Sequence, residues 1–572
     1  MGDFVIYNRK KVSADTQAAA IKTLSAQGSK NPRILNDDSY TILIYEKSIS
    51  PVCNFIQTDC GDYCISSGSF FYRGAHGITA LRQFLVDFDP DHYRPNGFLG
   101  IFTLIIKKNG RLFVLTDPLG GSRVFHNIDH SLWSSSFLAL AENISGLTID
   151  GQGVYEYAFQ EASYGATTPV NEIRMADSLK YFELTKDGTR EYSKNIPISF
   201  EQSNTSYEDL IEEHSNLLQN QMQSVVSSYG PKIATALSGG YDSRLMLSLA
   251  RNTGVIPKVY VYGADNSPDV TVAKSVGEGE GIAIDHINKA THPKPSVDNY
   301  GSIVKDNFYA LDGFPNEGIF DFGANMKTRR ERTSDGTLIL NGGGGEIYRN
   351  FFYLPNRSFS VDELLDVFYS RYSSEFCTDV FSQVNYRDIL KEKIKYALGL
   401  EKDRMSRTGL EFAYPGFRLR YWTAKDNSNN NRLGSFLTPF ICYETITAAL
   451  KMPLNYKTHG KFQGDLINKV NPKMAAYPSD YGYCFNEPVP FKSKLKNNMT
   501  IYRPTILRRH SYALQHKMKE LCLPETLSEE YLTPILPNTP YMDRFFKMDK
   551  IKDAALLGRV LTLEYLFKHI SL

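Results

Sequence analysis

No stretch of this chain approaches the roughly 18 consecutive apolar residues of a membrane-crossing helix, so no membrane partner is expected. Net charge is almost lacking too: 64 Lys and Arg against 63 Asp and Glu leave +1 at pH 7. That balance argues against a protein that holds nucleic acid on a broad basic surface. It leaves local basic pockets open. Paired cysteines are also lacking. Cys53, Cys60, Cys64, Cys377, Cys442, Cys484 and Cys522 are scattered, and no CxxC pair occurs. Zinc sites generally need closely spaced ligand pairs, so reduced cysteines in a cytoplasmic protein are expected instead. The start, MGDFVIYNRKK, lacks the ordered charged, apolar and cleavage regions of a secretory signal and reads as a first strand.

What is present is ordinary for a folded protein: 42% hydrophobic and 22% charged residues over 572 positions. A chain this long can bury sizeable cores without disulfide or metal staples. Its two parts differ in rhythm. Up to about residue 195 it reads as strands between turns, as in YTILIYEK (40–47) and SLWSSSF (131–137), with a helical spacing at GITALRQFLVDF (77–88). Within FLGIFTLIIKKNGRLFVLTD (98–117), Asn109-Gly110 between two β-rich runs predicts a hairpin, because these residues adopt positive φ cheaply. The polar, aperiodic IPISFEQSNTS (196–206) reads as a linker. After it, an amphipathic helix and then KIATALS, KVYVYG and AIDHIN alternate with helical stretches, which indicates a parallel sheet. From about 355 onward the text reads as mostly helical. The fold class is therefore a β-rich α+β half followed by an α/β parallel-sheet half with a helical C-terminal part.

Two loops carry chemistry. In Ala236-Leu237-Ser238-Gly239-Gly240-Tyr241-Asp242-Ser243-Arg244 a buried strand ends in small residues and opens a helix. Such a loop offers unpaired N–H groups at the positive end of a helix, where a phosphate can sit. Ser238 and Ser243 add hydroxyls. Asp242 would repel a phosphate unless a Mg²⁺ lies between them. An ordinary strand-to-helix turn, with Asp242 as a helix-start residue, stays open as the alternative. In Leu338-Ile339-Leu340-Asn341-Gly342-Gly343-Gly344-Gly345-Glu346 a second strand enters a loop without side chains and meets an acid. Four glycines in a row cost much entropy to order, so a close approach of backbone is expected. Two such loops at strand C-termini suit the crevice of an open α/β sheet, with a polyphosphate between them and Asp242 and Glu346 on Mg²⁺.

SGGYDS after a buried strand resembles the pyrophosphate loop of the asparagine synthetase superfamily. VYVYGADNSPDVTVAKSVGEGEGIAIDHI (259–287), LDGFPNEG (311–318) and LNGGGGEIY (340–348) resemble further family segments in the same order, and GFLGIFTLIIKKNGRLFVLTDPLGGSRVFH (97–126) resembles the glutaminase-like N-terminal domain. The resemblance covers both halves and thins after about 450. It implies a glutaminase-like (Ntn-type) sandwich at 1–200 and an asparagine synthetase-like PP-loop domain, an ATP pyrophosphatase, at 205–572. It also implies ATP and Mg as cofactors and adenylation of a small-molecule or peptide carboxylate, followed by attack of an amine or ammonia. Ser238, Gly239, Gly240, Asp242, Ser243 and Gly342 to Gly345 (Gly342, Gly343, Gly344, Gly345) would hold the phosphates. Backbone at Val261, Tyr262 and Gly263 would border the adenine, and Asp242 and Glu346 would hold the metal. Lys425 and Arg432 are candidate phosphate ligands. Lys457 and Lys461 compete for the family's catalytic lysine, of which Lys461 is preferred. Candidates for the base are Glu317, Tyr348, Glu411 and Tyr443, with Glu317 and Tyr348 preferred.

The departures bear on the nitrogen source. Glutamine-using members carry a nucleophilic cysteine at position 2, and here stands Gly2. The N-terminal domain is therefore expected to be an inactive glutaminase. Gly343 also replaces the acid of the family's second loop. This profile is similar to that of β-lactam synthetase and the lasso-peptide cyclases, which use an amine already on a substrate. A glutamine-dependent asparagine synthetase and a non-catalytic nucleotide-binding partner protein are the alternatives.

Overall fold

The computed structural model describes residues 2–49, 54–510 and 523–572; Cys53 and Cys522 lie outside the described residues. Two six-stranded antiparallel sheets come first. One runs Ile173–Met175, Phe125–Asn127, Leu132–Ser134, Phe4–Asn8, Tyr40–Ile44, Arg33–Asn36 in spatial order. The other runs Gly188–Ser193, Lys180–Thr185, Arg111–Thr116, Phe102–Lys108, Tyr63–Gly68, Phe55–Gln57. Alternation along the strands sends one face of each sheet into a shared core. Phe4, Ile6, Ile42 and Ile44 meet Ile65, Ile105, Val114 and Phe182 there. The outer faces are covered by helices, Ala14–Ala26 on the first sheet and Gly77–Asp87 on the second. The predicted hairpin is present: Lys108 pairs with Arg111, and Asn109 and Gly110 take φ of 53° and 75°.

Residues 195–206 carry no helix or strand, as their composition predicts. The helix Tyr207–Tyr229 follows, capped by Ser206, whose hydroxyl accepts from Asp209 N. It leads into a sheet of five parallel strands, in the order Ile284–Ile287, Lys258–Tyr262, Ile233–Ala236, Leu338–Leu340, Ser435–Leu437. Strand order reverses between Ile233–Ala236 and Leu338–Leu340. The connections leave these two neighbours in opposite directions, which opens a crevice at their C-terminal ends.

Two features differ from the sequence-based picture. The strand Ser435–Leu437 arises inside the stretch expected to be helical; three residues are too few to show a period. Nor does the apolar core stop at the linker. One continuous cluster takes in Val5, Leu43 and Phe137 with Tyr300, Phe314 and Leu563. The last helix, Ala554–His569, lies on Gly151–Gln160, with Arg559 Nε donating to Ala158 O at 2.8 Å.

Candidate functional site

The strands Ile233–Ala236 and Leu338–Leu340 are hydrogen-bonded neighbours, so the loops that leave them face each other. Their approach is too close for side chains. A Cβ on Gly342 would lie 3.0 Å from the backbone of Asp242, and one on Gly345 would lie 2.4 Å from Asp242 Oδ1. Gly344 has φ +89°, and a Cβ there would meet Ile441 at 2.3 Å. Gly343 is different, since its nearest neighbour, the side chain of Asn341, would stand at 3.4 Å. Three of the four glycines are thus required by contact with the first loop or with Ile441.

The first loop is internally capped. Ser238 N donates to Ser243 Oγ at 2.9 Å, Gly240 N to Ser238 Oγ at 3.3 Å, and Gly239 N to Asp269 Oδ1 at 2.7 Å. Asp269 comes from the Ser267-Pro268-Asp269 turn, where Ser267 caps the helix Pro268–Glu280. Asp480 closes the other side of the loop, its N donating to Gly239 O at 3.2 Å. A phosphate entering this loop has to exchange with the Asp269 carboxylate at the Gly239 amide.

The two acids converge on one cation. Arg349 Nη2 donates to Asp242 Oδ2 at 2.7 Å and stands 3.7 Å from Glu346 Oε1. Gln463 Nε2 donates to Asp242 Oδ1 at 2.7 Å, and Tyr414 OH donates to Glu346 Oε2 at 2.8 Å. Burial, only partly offset by Arg349 and reinforced by the Glu346 charge, pushes the Asp242 carboxyl up to about 6. Among the described residues no group of three or more His, Cys, Asp or Glu could hold a metal by itself. Two carboxylates that already share a cation fit Mg²⁺, which takes one or two carboxylates and completes its shell with water and phosphate oxygens.

Val261 and Tyr262 lie on opposite faces of the strand Lys258–Tyr262. Val261 is in the core, whereas the Tyr262 ring carries Lys289 Nζ 4.7 Å and the Arg332 guanidinium 5.4 Å from its centroid. Gly263 has φ +150°, and a Cβ there would strike Ser267 Oγ at 2.5 Å, so backbone stays open at this strand end. Glu317 is exposed beside this group, where its charge acts on Lys289 and Arg329. It is therefore on the Tyr262 side of the cleft.

Several expected site residues are elsewhere. Tyr348 is fully buried, its ring stacked on Phe462 and its hydroxyl 3.4 Å from His214 Nδ1. The turn Gly345–Tyr348 sends that side chain into the core, away from the cleft. Lys461 Nζ pairs with Asp465 Oδ2 at 2.7 Å and lies 3.8 Å from the Tyr207 ring centroid. In the helix Lys461–Val470, positions four apart share a face, so Lys461 follows Asp465 while Gln463 points to Asp242. Arg432 precedes the strand Ser435–Leu437, at the opposite end of the sheet from the loops, and is buried against Asp3 (Nε to Oδ2, 2.9 Å). Lys425 is buried against the rings of Phe314 and Tyr157, at 4.0 and 4.5 Å, facing the N-terminal half. Tyr443 OH donates to Pro197 O at 2.9 Å.

Two candidates from different lists turn out to be partners. Lys457 Nζ donates to Glu411 Oε2 at 2.7 Å, with Arg407 Nη1 3.4 Å from Glu411 Oε1. Lys457 and Glu411 line a small cavity together with Glu346, Arg349 and Tyr414. Sequence reasoning missed Arg349, Gln463, Asp269 and Tyr414. Two of these carried a local signal: Asp269 belongs to the Ser267-Pro268-Asp269 turn of the segment that carries the resemblance, and Arg349 is three residues beyond Glu346 and so one turn away.

At Gly2, two residues before the first strand, N donates to Tyr45 O at 3.0 Å. A Cβ at this position would lie 2.8 Å from the Glu46 carbonyl oxygen. A side chain at residue 2 requires this backbone to move.

No family model matches the chain, and no curated protein matches it. Among solved structures it is similar to an allosteric regulatory enzyme of purine biosynthesis, at 9% identity over 50% of this chain and 80% of that one, with a TM-score of 0.23. It is similar also to the glutamine phosphoribosylpyrophosphate amidotransferase from B. subtilis complexed with ADP and GMP, at 11% identity over 60% of this chain and 81% of that one, with a TM-score of 0.24. Likeness at this level does not bear on the chemistry of the two loops.

Proposed function

We propose that the chain is an ATP- and Mg-dependent amide-forming ligase. It adenylates a carboxylate, releases pyrophosphate and joins the acyl group to an amine or to ammonia. The observation that carries this reading is the convergence of two glycine loops, with Asp242 and Glu346 on one shared cation, at the strand-order reversal of the parallel sheet. A loop that only turns the chain has no use for two partly buried acids paired on one cation. When bound, Mg²⁺ supplies charge neutralisation for the phosphates, and Asp242 and Glu346 would hold it. Arg349 then loses its partners and is free to turn to a phosphate oxygen. Ser238 and Ser243 offer hydroxyls to the phosphates, and Gly239 and Gly240 their amides, once Asp269 yields. The backbone at Val261 to Gly263 accepts the base. The Lys457–Glu411 pair, which shares a cavity with Glu346, is the group best placed to settle charge near the second loop.

Gly2 favours an amine or ammonia over glutamine as the nitrogen source, since residue 2 has no nucleophile and no space for one. In this reading 1–200 is an inactive glutaminase-like domain and 205–572 the synthetase domain. The partners are a small-molecule or peptide carboxylate and an amine, and the protein is cytoplasmic. No helix among the described residues is long and apolar enough to cross a membrane.

The test is pyrophosphate and AMP release from ATP across a panel of carboxylates and amines, with and without Mg²⁺. Wild type is expected to release both, and Asp242→Asn neither. Equal release from the two proteins, or binding of ATP without AMP from any acid, would overturn the reading.

A further inference from the structure

The helix Phe491–Ile501 is held to the body of the protein along one face only. Ser493 and Asn497 are half-buried, Ile501 is buried, and Asn497 Nδ2 donates to His459 Nδ1 at 3.4 Å. These three positions recur every fourth residue and so share a face. The opposite face carries Phe491, Leu495 and Met499, and Tyr502 continues it just past the helix end. All four are between 51% and 78% exposed. At about 100° per residue the stripe they form is about 80° wide. Lys492 and Lys496 follow one edge of it, and Lys494 the other. Ile506 and Leu507 extend the exposed apolar surface beyond Pro504, so six of the 18 exposed large hydrophobic residues among the described ones fall within 491–507. Such a concentration, rimmed by polar groups, marks an interaction surface.

The charge around the stripe selects its partner. No Asp or Glu stands between Glu487 and Glu520, where eight Lys and Arg occur. Lys492, Lys494 and Lys496 take part in no ion pair, so their charge is free to meet an anionic surface. A second copy of this face would bring like charges together. The shape selects further. A helix recognised in a protein groove lays itself into the groove. This one is backed by its own protein along Ser493, Asn497 and Ile501 and shows only a narrow ridge, which suits a flat surface. The ridge is fixed in place by the buried Arg508, whose Nη1 donates to Phe352 O at 2.7 Å and whose Nη2 donates to Thr500 O at 2.6 Å. That ties the end of the helix to the segment that follows Arg349.

We propose that 491–507 is a docking surface for an anionic lipid bilayer. Phe491, Leu495, Met499 and Tyr502 enter the boundary between headgroups and acyl chains, and the three lysines reach lipid phosphates from the two edges of the stripe. The lack of a spanning segment, on which no membrane partner is expected, excludes crossing a bilayer but not lying on one. Binding of this kind is independent of the chemistry at the two glycine loops.

Co-sedimentation of the full chain with vesicles tests the surface. Wild type is expected to bind phosphatidylcholine vesicles that contain phosphatidylglycerol, to release as salt rises, and to leave pure phosphatidylcholine vesicles alone. The triple change Lys492→Gln, Lys494→Gln and Lys496→Gln should weaken binding on the order of 100-fold, about fivefold per lysine. Leu495→Gln with Met499→Gln, which keeps every charge, should weaken it by more than about tenfold. All five positions are exposed, so both variants should keep the wild-type Tm. Wild type that stays in the supernatant overturns the proposal and points to a flat acidic protein surface instead. Equal binding to neutral and anionic vesicles, or variants that bind as wild type does, overturn it as well.

Discussion

Arg349 Nη2 stands 2.7 Å from Asp242 Oδ2 and 3.7 Å from Glu346 Oε1, so a single nitrogen neutralises the two acids that end the glycine loops. In the absence of metal this arginine is their counter-ion. Arg349→Met leaves two partly buried carboxylates facing each other without a cation. The variant should lose on the order of 3 kcal/mol of stability in EDTA. Mg²⁺ should restore much of it, so that its Tm rises more steeply with Mg²⁺ than that of wild type. Thermal unfolding of both proteins over a Mg²⁺ titration measures this; parallel curves would count against a shared cation site.

Asp242→Asn keeps the shape of the site and removes one of the two carboxylate charges that meet at Arg349, which in the proposed ligase would hold Mg²⁺. Carboxylate-dependent pyrophosphate release should fall on the order of 10²–10³-fold, the scale of losing one pre-organised charge at a transition state. Circular dichroism should be unchanged, which separates a chemical loss from an unfolded one.

The glycines of the second loop are predicted to be unequal. Gly345→Ala forces a Cβ to 2.4 Å from Asp242 Oδ1, and Gly344→Ala adds a positive φ to a clash with Ile441. Each should cost about 1–3 kcal/mol and abolish turnover. Gly343→Ala, with its nearest neighbour at 3.4 Å, should stay within about 1 kcal/mol of wild type. Denaturant midpoints of the three variants give the ranking directly.

Gly2→Cys should not create a glutaminase. The Glu46 carbonyl stands 2.8 Å from where the Cβ would be, so the thiol cannot be presented without displacing a strand partner. The measurement is glutamate release from glutamine; a turnover number above background would show that residue 2 has more freedom than this packing allows.

Stability should fall in mild acid. Burial is the largest cause that holds His76 and His126 down at about 4 and His214 at about 3, from 6.5. Each stays neutral in the fold and takes up a proton on unfolding, so the unfolded chain binds more protons below about pH 6.5. The stability from these groups is complete above that pH and is lost progressively as pH falls toward 4. His214→Phe, a change within the Tyr348 and Phe462 cluster, should flatten the slope of Tm against pH. A Tm independent of pH between about 7 and 4 would contradict this.

Much of the backbone was legible in advance because its causes are local. Asn109-Gly110 permits a hairpin whatever surrounds it, and strands alternating with helices imply a parallel sheet. SGGYDS announces a loop of small residues and NGGGGE one without side chains, and the structure sets them against each other on neighbouring strands. The strand Ser435–Leu437 was hidden, since its pairing with Leu338–Leu340 is made by residues about a hundred positions away.

The amino-acid sequence by itself determined where backbone could be approached closely and that each glycine loop is followed by a carboxylate, for these follow from residue type and short-range conformation. It also determined that residue 2 has no nucleophile. Only the tertiary structure decided which charges meet. It brought Arg349 between Asp242 and Glu346, chose Gln463 over Lys461 at the loop, withdrew Tyr348 into the core and turned Lys425 and Arg432 toward the N-terminal half. A long side chain is placed by the partners that long-range packing brings within its reach, and no local pattern records those partners.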